Sequence, residues 1–176
     1  KTSEFFASLP EVFDIQAKGP AKTNVRLKTG VDVDLRIFAH NEFGAAMQYF
    51  IGSKEHNIAL RSLAGEKGYK LNEYGLYKIQ NDNSKLKSEG KRIAGEEEKK
   101  IYEMLGMQYP PPEIRENSGE IEAALEHKLP DLLPYGSLKG DLQVQTSWSD
   151  GEHSLREMAQ AAIAAGLSYI GITDHS

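Results

Sequence analysis

The chain has 176 residues, a formal net charge of −5 and no cysteine. This length suffices for one domain or for two partial ones. The acidic balance excludes a generally basic nucleic-acid-binding protein, so any binding of polyanions must be local. The lack of cysteine excludes disulfides, a thiol catalyst and Cys-based zinc sites.

Neither a membrane span nor a targeting signal is visible in the sequence. No apolar run approaches the roughly 20 residues that cross a bilayer, and no signal peptide precedes the first predicted element. We therefore expect a cytoplasmic protein without a membrane partner. Because the chain starts with Lys1 and stops at Ser176 directly after a strand-like run, we also expect it to be a piece of a longer protein.

The N-terminal part is predicted to form three strands. Val12–Gln16 and Thr23–Lys28 precede a tight-turn signal that ends at Gly30. In the third strand, Val31–Phe38, apolar residues alternate with polar ones, which is typical of a half-buried strand. The polar residues, on one face of that strand, are Asp32, Asp34 and Arg36. Carboxylates on a stiff support suit Mg²⁺; the alternative is the solvated face of an edge strand.

Two helices are predicted next. Phe43, Ala46, Met47 and Phe50 recur at i, i+3, i+4 and i+7, which predicts an amphipathic helix with these four residues on its apolar face. Gly52 ends this helix.

Ser53 is placed to cap a second helix, over about Lys54–Lys67. Lys54, Asn57 and Arg61 share one face of it, here called the polar stripe. Such a stripe can bind phosphates and base edges together; the alternative is a solvated helix face.

The remaining elements suggest a second unit. The predicted order is a strand pair in Tyr69–Ile79, a polar loop at Asn81–Arg92, short helices at Glu96–Leu105 and Gly119–Leu129, and a strand, helix and strand at Asp141–Thr146, Ser154–Ala165 and Tyr169–Thr173. That last series is a βαβ unit. Three prolines, Pro110–Pro112, cannot lie inside a helix or a central strand. We predict a domain over 1–113, a linker over 114–139 and a truncated domain over 140–176.

The motifs VDLRIF, EFGAAMQYFIGSKEHNIALR and LNEYGLY, in this order, resemble the family X DNA polymerases, the group that includes polymerase beta. The resemblance implies an α+β fold in which residues 1–113 are the end of the palm and the thumb. It implies that Asp34 is the third catalytic carboxylate and a ligand of Mg²⁺ or Mn²⁺. Arg36 would hold that carboxylate in place.

The same resemblance implies contacts with a deoxynucleoside triphosphate and with DNA. Tyr49 and Phe50 would pack against the sugar of the incoming nucleotide. Lys54 would contact the incoming base, Asn57 would read its minor-groove edge, and Arg61 would touch the template.

The resemblance also implies that Asn72, Glu73 and Tyr74 position the nucleotide site on closing. Two-metal catalysis needs further carboxylates, and no Gly-rich turn with two alternating acids precedes Asp34. Asp32 falls one alternation too early to be the matching ligand. We expect the missing carboxylates N-terminal to Lys1, and the fragment alone to be inactive.

Residues 140–176 resemble the start of a PHP (polymerase and histidinol phosphatase) domain, a metal-dependent phosphoesterase fold built as a distorted β/α barrel. Its first motif, His-x-His, is replaced here by Gln143 and Gln145. Amide oxygens are poor transition-metal ligands beside imidazole. Asp150 and His175 match other ligand positions. We therefore expect a first βαβ unit of a PHP barrel with a degraded metal site.

The leading hypothesis is a fragment of a gap-filling, template-directed family X DNA polymerase. One alternative is a metal-dependent phosphoesterase or 3′–5′ exonuclease, against which the two glutamines argue. Another is a non-catalytic DNA-binding module, for which Lys54, Arg61, Arg26 and Lys28 supply cations.

Overall fold

The computed structural model describes residues 1–79 and 89–176. The chain divides into two units, Lys1–Leu129 and Pro130–Ser176. In the part of the chain that the structure describes, no helix has the length and apolar character that a bilayer crossing requires.

The first unit begins with helix α1 and an antiparallel three-stranded sheet in the order β1-β2-β3. The elements are α1 (Thr2–Ala7), β1 (Val12–Lys18), β2 (Lys22–Leu27) and β3 (Asp32–Arg36). The predicted turn is present: Gly30, at φ 86°, donates its N–H to Leu27, a conformation that glycine adopts without steric cost. The predicted alternation is confirmed, since Asp32, Asp34 and Arg36 are all exposed while the residues between them are half-buried.

Helices α2 (Phe43–Ile51) and α3 (Lys54–Glu66) follow, separated by Gly52 and Ser53. The predicted cap is confirmed, because the Ser53 hydroxyl accepts the N–H of His56 at 3.2 Å. It satisfies one of the backbone donors that a helix start leaves open. The peptide bond between Gly52 and Ser53 is cis.

The predicted apolar face of α2 is wrong for its large side chains. Phe43, Met47 and Phe50 are exposed, and the buried face carries small residues and an amide: Gly44, Ala45, Ala46 and Gln48. The reason is a close approach of two backbones. A Cβ at Gly44 would lie 2.3 Å from the carbonyl carbon of Glu97. Only a helix face with glycine or very small side chains can therefore pack against the backbone at Glu97.

A second antiparallel sheet, β4-β5-β6, completes the core of this unit. Its strands are β4 (Tyr69–Asn72), β5 (Gly75–Ile79) and β6 (Glu89–Ala94). The predicted strand pair is confirmed. The predicted loop Asn81–Arg92 lies partly outside the described residues, and it is wrong from Glu89 onward because these residues pair with β5. Buried residues from both sheet and helices form the core, among them Leu60, Ala64, Leu71, Leu76, Ile101, Leu105 and Ala124.

The segment after the three prolines packs onto this core. Helix α4 (Glu98–Met104) and the short 3₁₀ helix Pro112–Ile114 lead to α5 (Glu120–Leu125). Ile121 and Ala124 of α5 belong to the core cluster. The first unit therefore extends to Leu129, and the predicted linker 114–139 is wrong over residues 114–129. At the three prolines the chain changes direction, and the residues that follow pack against the same core.

The second unit contains the predicted βαβ arrangement. Strands β7 (Gly140–Val144) and β8 (Tyr169–Ile172) are parallel and are joined through helix α6 (Leu155–Ala164). Ser154 caps α6 in a reciprocal box with Glu157, as expected for Ser followed three residues later by Glu.

The contact at Gly44 predicts a stability difference between two Gly→Ala variants. We expect Gly44→Ala to lower the free energy of unfolding by about 1–3 kcal/mol, the usual cost of overpacking. The matched control is Gly65→Ala in α3, where nothing lies within 4 Å of an added Cβ. It should raise stability by about 0.5–1 kcal/mol. Urea denaturation of both variants measures this, and equal effects would contradict the packing described.

Candidate functional site

The polar face of β3 lies against polar side chains of β2. Arg26, directly opposite Asp32 in the sheet, donates to both carboxylate oxygens at 2.7 and 2.9 Å. Gln16 of β1 donates to the same carboxylate at 3.0 Å. The hydrogen bond from Arg26 is the main reason that the pKa of Asp32 is lowered. Asp32 is therefore engaged within the sheet.

Asp34 has a different environment. It is exposed, and its Oδ1 accepts one hydrogen bond at 2.7 Å, from Nδ2 of Asn24 on the opposite strand. The role of Arg36 in holding this carboxylate stays a prediction, since the structure pairs Asp34 with Asn24. The guanidinium of Arg36 lies 5.8 Å from the ring centre of Phe50, because the side chain extends toward α2.

The oxygen atoms around Asp34 are of the type that a hard cation binds, but they are too few to form a site. The buried Oδ1 of Asn24 has no hydrogen-bond partner among the described residues, so an amide oxygen lies in the same side-chain pair as the carboxylate. Mg²⁺ prefers such oxygen ligands. However, the described residues contain no cluster of three or more His, Cys, Asp or Glu that could hold a metal. Asp34 can supply one ligand of a site that needs others.

A row of ring contacts connects the end of β3 with α2 and with the turn between β4 and β5. Phe38 lies 6.0 Å from Phe50 and 5.7 Å from Tyr74, measured between ring centres. Phe50 in turn meets Tyr49 edge-to-face at 5.0 Å. We call these four rings (Phe38, Tyr49, Phe50 and Tyr74) the aromatic row. Phe50 is exposed because its ring lies between Arg36 of β3 and the other rings of this row.

The polar stripe of α3 lines a groove of about 420 Å³ together with Tyr49 and Phe50. Lys54 and Arg61 are exposed cations, and the guanidinium of Arg61 lies 4.9 Å over the ring of Tyr49. This contact orients Arg61 along the groove, since cations favour the faces of aromatic rings.

Asn57 differs from its neighbours in the polar stripe because it is 9% exposed. Its Nδ2 donates to the Tyr49 carbonyl at 2.8 Å, and its Oδ1 accepts from Gln48 at 2.6 Å. The sequence analysis predicted that Asn57 reads the minor-groove edge of the incoming nucleotide. The structure uses Asn57 to tie α3 to α2, although the amide nitrogen carries a second hydrogen.

The turn that presents Tyr74 is built by Asn72. Its Oδ1 accepts the N–H groups of Tyr74 and Gly75 at 2.9 and 3.2 Å, the usual behaviour of Asn in turns. Arg92 of β6 donates to the Tyr74 carbonyl at 3.3 Å. Glu73 lies half-buried in the same turn. Of the three residues predicted to act together, Tyr74 is the one whose side chain reaches the aromatic row.

In the second unit, the predicted metal ligands come close without forming a cluster. His175 Nε2 lies 3.7 Å from Asp150 Oδ2, and both side chains are exposed. Gln145 donates to the Thr173 hydroxyl at 3.4 Å, and Gln143 is exposed on β7.

Sequence reasoning assigned no role to Asp174. Its carboxylate accepts bonds from the Thr146 N–H and hydroxyl and from the Ser149 hydroxyl at 2.6–2.7 Å. The hydroxyl of Thr146 is the leading cause of its lowered pKa. Its position after a strand, in Thr-Asp-His, was the available signal.

Sequence reasoning also missed a buried polar network beneath α3. His56 is fully buried. Its Nδ1 lies 2.6 Å from Glu120 Oε1 and its Nε2 lies 3.0 Å from the Tyr102 hydroxyl. Burial is the main reason that the pKa of His56 is lowered and that of Tyr102 is raised. No sequence signal indicated the network, since its members are far apart in the chain.

The pKa shifts in this network predict that acid destabilises the first unit. The pKa of His56 lies below its ordinary 6.5. For Glu120, burial opposes ionisation, but the hydrogen bond from His56 and those from the backbone N–H groups of Glu120, Ser118 and Asn117 lower the pKa below its ordinary 4.5. The unfolded chain therefore binds more protons, so stability falls as the pH drops below the unfolded values.

We expect the free energy of unfolding to begin falling near the pKa of an unfolded histidine, about 6.5, and to fall further near that of glutamate. Urea denaturation between pH 4 and 8 measures this. His56→Phe should remove the first part of the decline. His127→Asn is the matched control: His127 is exposed at φ 56°, which Asn tolerates, so the decline should persist. An unchanged decline in His56→Phe would contradict the assignment.

Comparisons with known proteins identify what the chain is similar to. Residues 46–116 match the DNA polymerase beta thumb family. The chain is 35% identical to the DNA polymerase/3′-5′ exonuclease PolX of Bacillus subtilis (strain 168) over 175 residues, which is 98% of this chain and 29% of the length of that relative. The chain thus spans less than a third of the length of the Bacillus subtilis PolX.

Solved structures of Leishmania infantum polymerase beta are similar as well. The ternary gap complex matches with a TM-score of 0.53 at 29% identity, over 64% of this chain and 47% of that one. The ternary P/T complex matches with a TM-score of 0.54 at 31% identity, over 64% and 50%. Residues 46–116 are therefore similar to the polymerase beta thumb, and the chain as a whole is similar to part of a family X DNA polymerase.

Proposed function

We propose that this chain contributes a catalytic carboxylate and the nucleotide- and DNA-binding face to a gap-filling, template-directed DNA polymerase. The main support is the row of contacts from β3 to α3. Arg36 reaches Phe50, Phe50 meets Tyr49, and Tyr49 lies under Arg61. These contacts link the strand that carries Asp34, through Arg36, to the helices whose residues line the groove.

Asp34 is the proposed metal ligand, with Asn24 holding its carboxylate. A bound Mg²⁺ or Mn²⁺ would lower the pKa of the attacking 3′-hydroxyl and offset charge on the phosphates. The chain's own part is to fix one carboxylate oxygen at the edge of a stiff sheet. The further carboxylates would come from outside this chain, which is why the chain alone should not incorporate nucleotides.

The groove residues would bind the other components. Lys54 and Arg61 are exposed cations suited to phosphates and template. Tyr49 and Phe50 offer apolar surface to a sugar, and Asn57 retains one amide hydrogen for a base edge.

Tyr74 is proposed to support this face through its contact with Phe38. Asn72 and Glu73 would act through the turn that presents Tyr74, since Asn72 hydrogen-bonds the backbone of that turn. DNA and deoxynucleoside triphosphates are the proposed partners of the whole protein. The relatives in ternary complexes with gapped and P/T DNA support this choice.

For residues 140–176 we propose a PHP-like unit whose metal site is degraded. The exposed pair Asp150 and His175 supports leftover ligands, and the amides of Gln143 and Gln145 are weak substitutes for imidazole. This argues against the alternative of a phosphoesterase or exonuclease. Tight binding of Mn²⁺ or Zn²⁺ by this unit would contradict the proposal.

A chimera tests the role of Asp34. This chain would replace the matching segment of the Bacillus subtilis PolX, and nucleotide incorporation would be measured on gapped DNA. We expect Asp34→Asn to lower incorporation by at least about 100-fold, because even residues that only orient metal ligands contribute about 10–100-fold. Asp32→Asn, on the same strand face but bonded to Arg26, is the matched control and should have a small effect. Equal effects, or an inactive chimera that still binds DNA, would contradict the proposal.

DNA binding tests the groove independently of catalysis. We expect the chain to bind primer–template DNA with an affinity that falls with salt, and Lys54→Ala or Arg61→Ala to reduce the slope of log K against log salt by about 0.9 each. Lys99→Ala, an exposed cation of α4 beside Glu103, is the control. Fluorescence anisotropy gives the slopes. Salt-independent binding, or an equal loss in Lys99→Ala, would refute the groove assignment.

A further inference from the structure

The first turn of α3 has no apolar side chain with which to pack. Its residues are Lys54, Glu55, His56 and Asn57, and the apolar residues by which α3 joins the core begin at Ala59. The direction of this turn must therefore be set by polar contacts. This matters because two members of the polar stripe belong to it.

The strongest of these contacts is the buried bond between His56 and Glu120. Glu120 is itself held in place, because its two carboxylate oxygens accept the N–H groups of Asn117 and Ser118 at 3.0 and 2.8 Å. A carboxylate flanked by two backbone donors is a fixed acceptor. Since it can only accept, Nδ1 of His56 carries the proton, and Nε2 accepts from the Tyr102 hydroxyl.

The same segment also holds the residue just ahead of the helix. The Ser53 N–H donates to the Arg115 carbonyl at 3.0 Å. Arg115 is fully buried: its guanidinium pairs with Glu98 and donates to the Pro110 carbonyl. Residues 115–120 therefore form hydrogen bonds to the chain at Ser53 and at His56, the positions before and after Lys54 and Glu55.

We infer that His56 and Glu120 are positioning residues, whose buried hydrogen bond sets the direction of the first turn of α3 and so the placement of Lys54 and Asn57 in the groove. This inference rests on the proposed function. It assigns a role to the segment after the three prolines, which contacts the start of α3 at Ser53 and at His56.

Amide hydrogen exchange on the full 176-residue chain tests the positioning. The probes are the N–H groups of Ser53, His56 and Asn57, all hydrogen-bonded at this turn. We expect His56→Phe, which keeps a ring but removes both nitrogens, to accelerate their exchange at least about tenfold, as when a buried charge-assisted hydrogen bond is lost.

The matched control is Ile121→Ala, which removes a core contact from the residue next to Glu120. Exchange is compared after correction for each variant's free energy of unfolding. The inference is overturned if the control accelerates the same three amides as much. Should His56→Phe not fold, Glu120→Gln keeps the volume and an oxygen acceptor. It must then accelerate these amides more than the control does.

DNA binding by the same variants separates this inference from the proposed function. We expect His56→Phe and Glu120→Gln to weaken binding to primer–template DNA without changing the salt slope, because the Lys54 and Arg61 charges remain and only the free energy of placing Lys54 changes. Faster exchange with affinity equal to that of Ile121→Ala overturns the inference but not the proposed function. If the unmodified chain does not bind DNA, the proposed function fails, and with it the role of this turn in binding.

Discussion

The bond between His56 and Glu120 is the interaction on which the arrangement of the groove depends. It joins residues 64 positions apart in the chain, and both side chains are buried. A buried carboxylate is costly unless its lone pairs are satisfied, and here two backbone N–H groups and an imidazole satisfy them. Removing one partner would leave the other buried and unpaired, so the network specifies one direction for the start of α3.

The second constraint is the small-residue face of α2. Gly44, Ala45 and Ala46 let this helix lie directly on the start of α4, which turns the large side chains of α2 outward. Phe50 then becomes available to Arg36 of β3 and to Phe38. Exposed aromatic residues would be unfavourable in an isolated helix. Here they form the contacts between the sheet and the helix that carries the polar stripe.

Much of the local structure was predictable because it follows from short-range patterns. The alternation in β3, the cap at Ser53 and the βαβ order all rest on periodicity or on a single side chain's reach. The apolar face of α2 was not predictable, since side-chain hydrophobicity ranks Phe43, Met47 and Phe50 above glycine and alanine. Only the distance to another backbone reverses that ranking. The predicted domain boundary at the prolines was wrong for a similar reason. Prolines end regular structure, but the chain can turn there and continue to pack against the same core.

The candidate site divides along the same line. The sequence by itself determined which residues share a face: Asp34 with Arg36, and Lys54 with Arg61, because faces follow from residue spacing alone. The tertiary structure decided what each side chain does on that face. It gave Asp34 an amide partner, it engaged Asn57 between two helices, and it buried His56 against Glu120. Those outcomes depend on which distant segments meet, and no local pattern encodes such meetings.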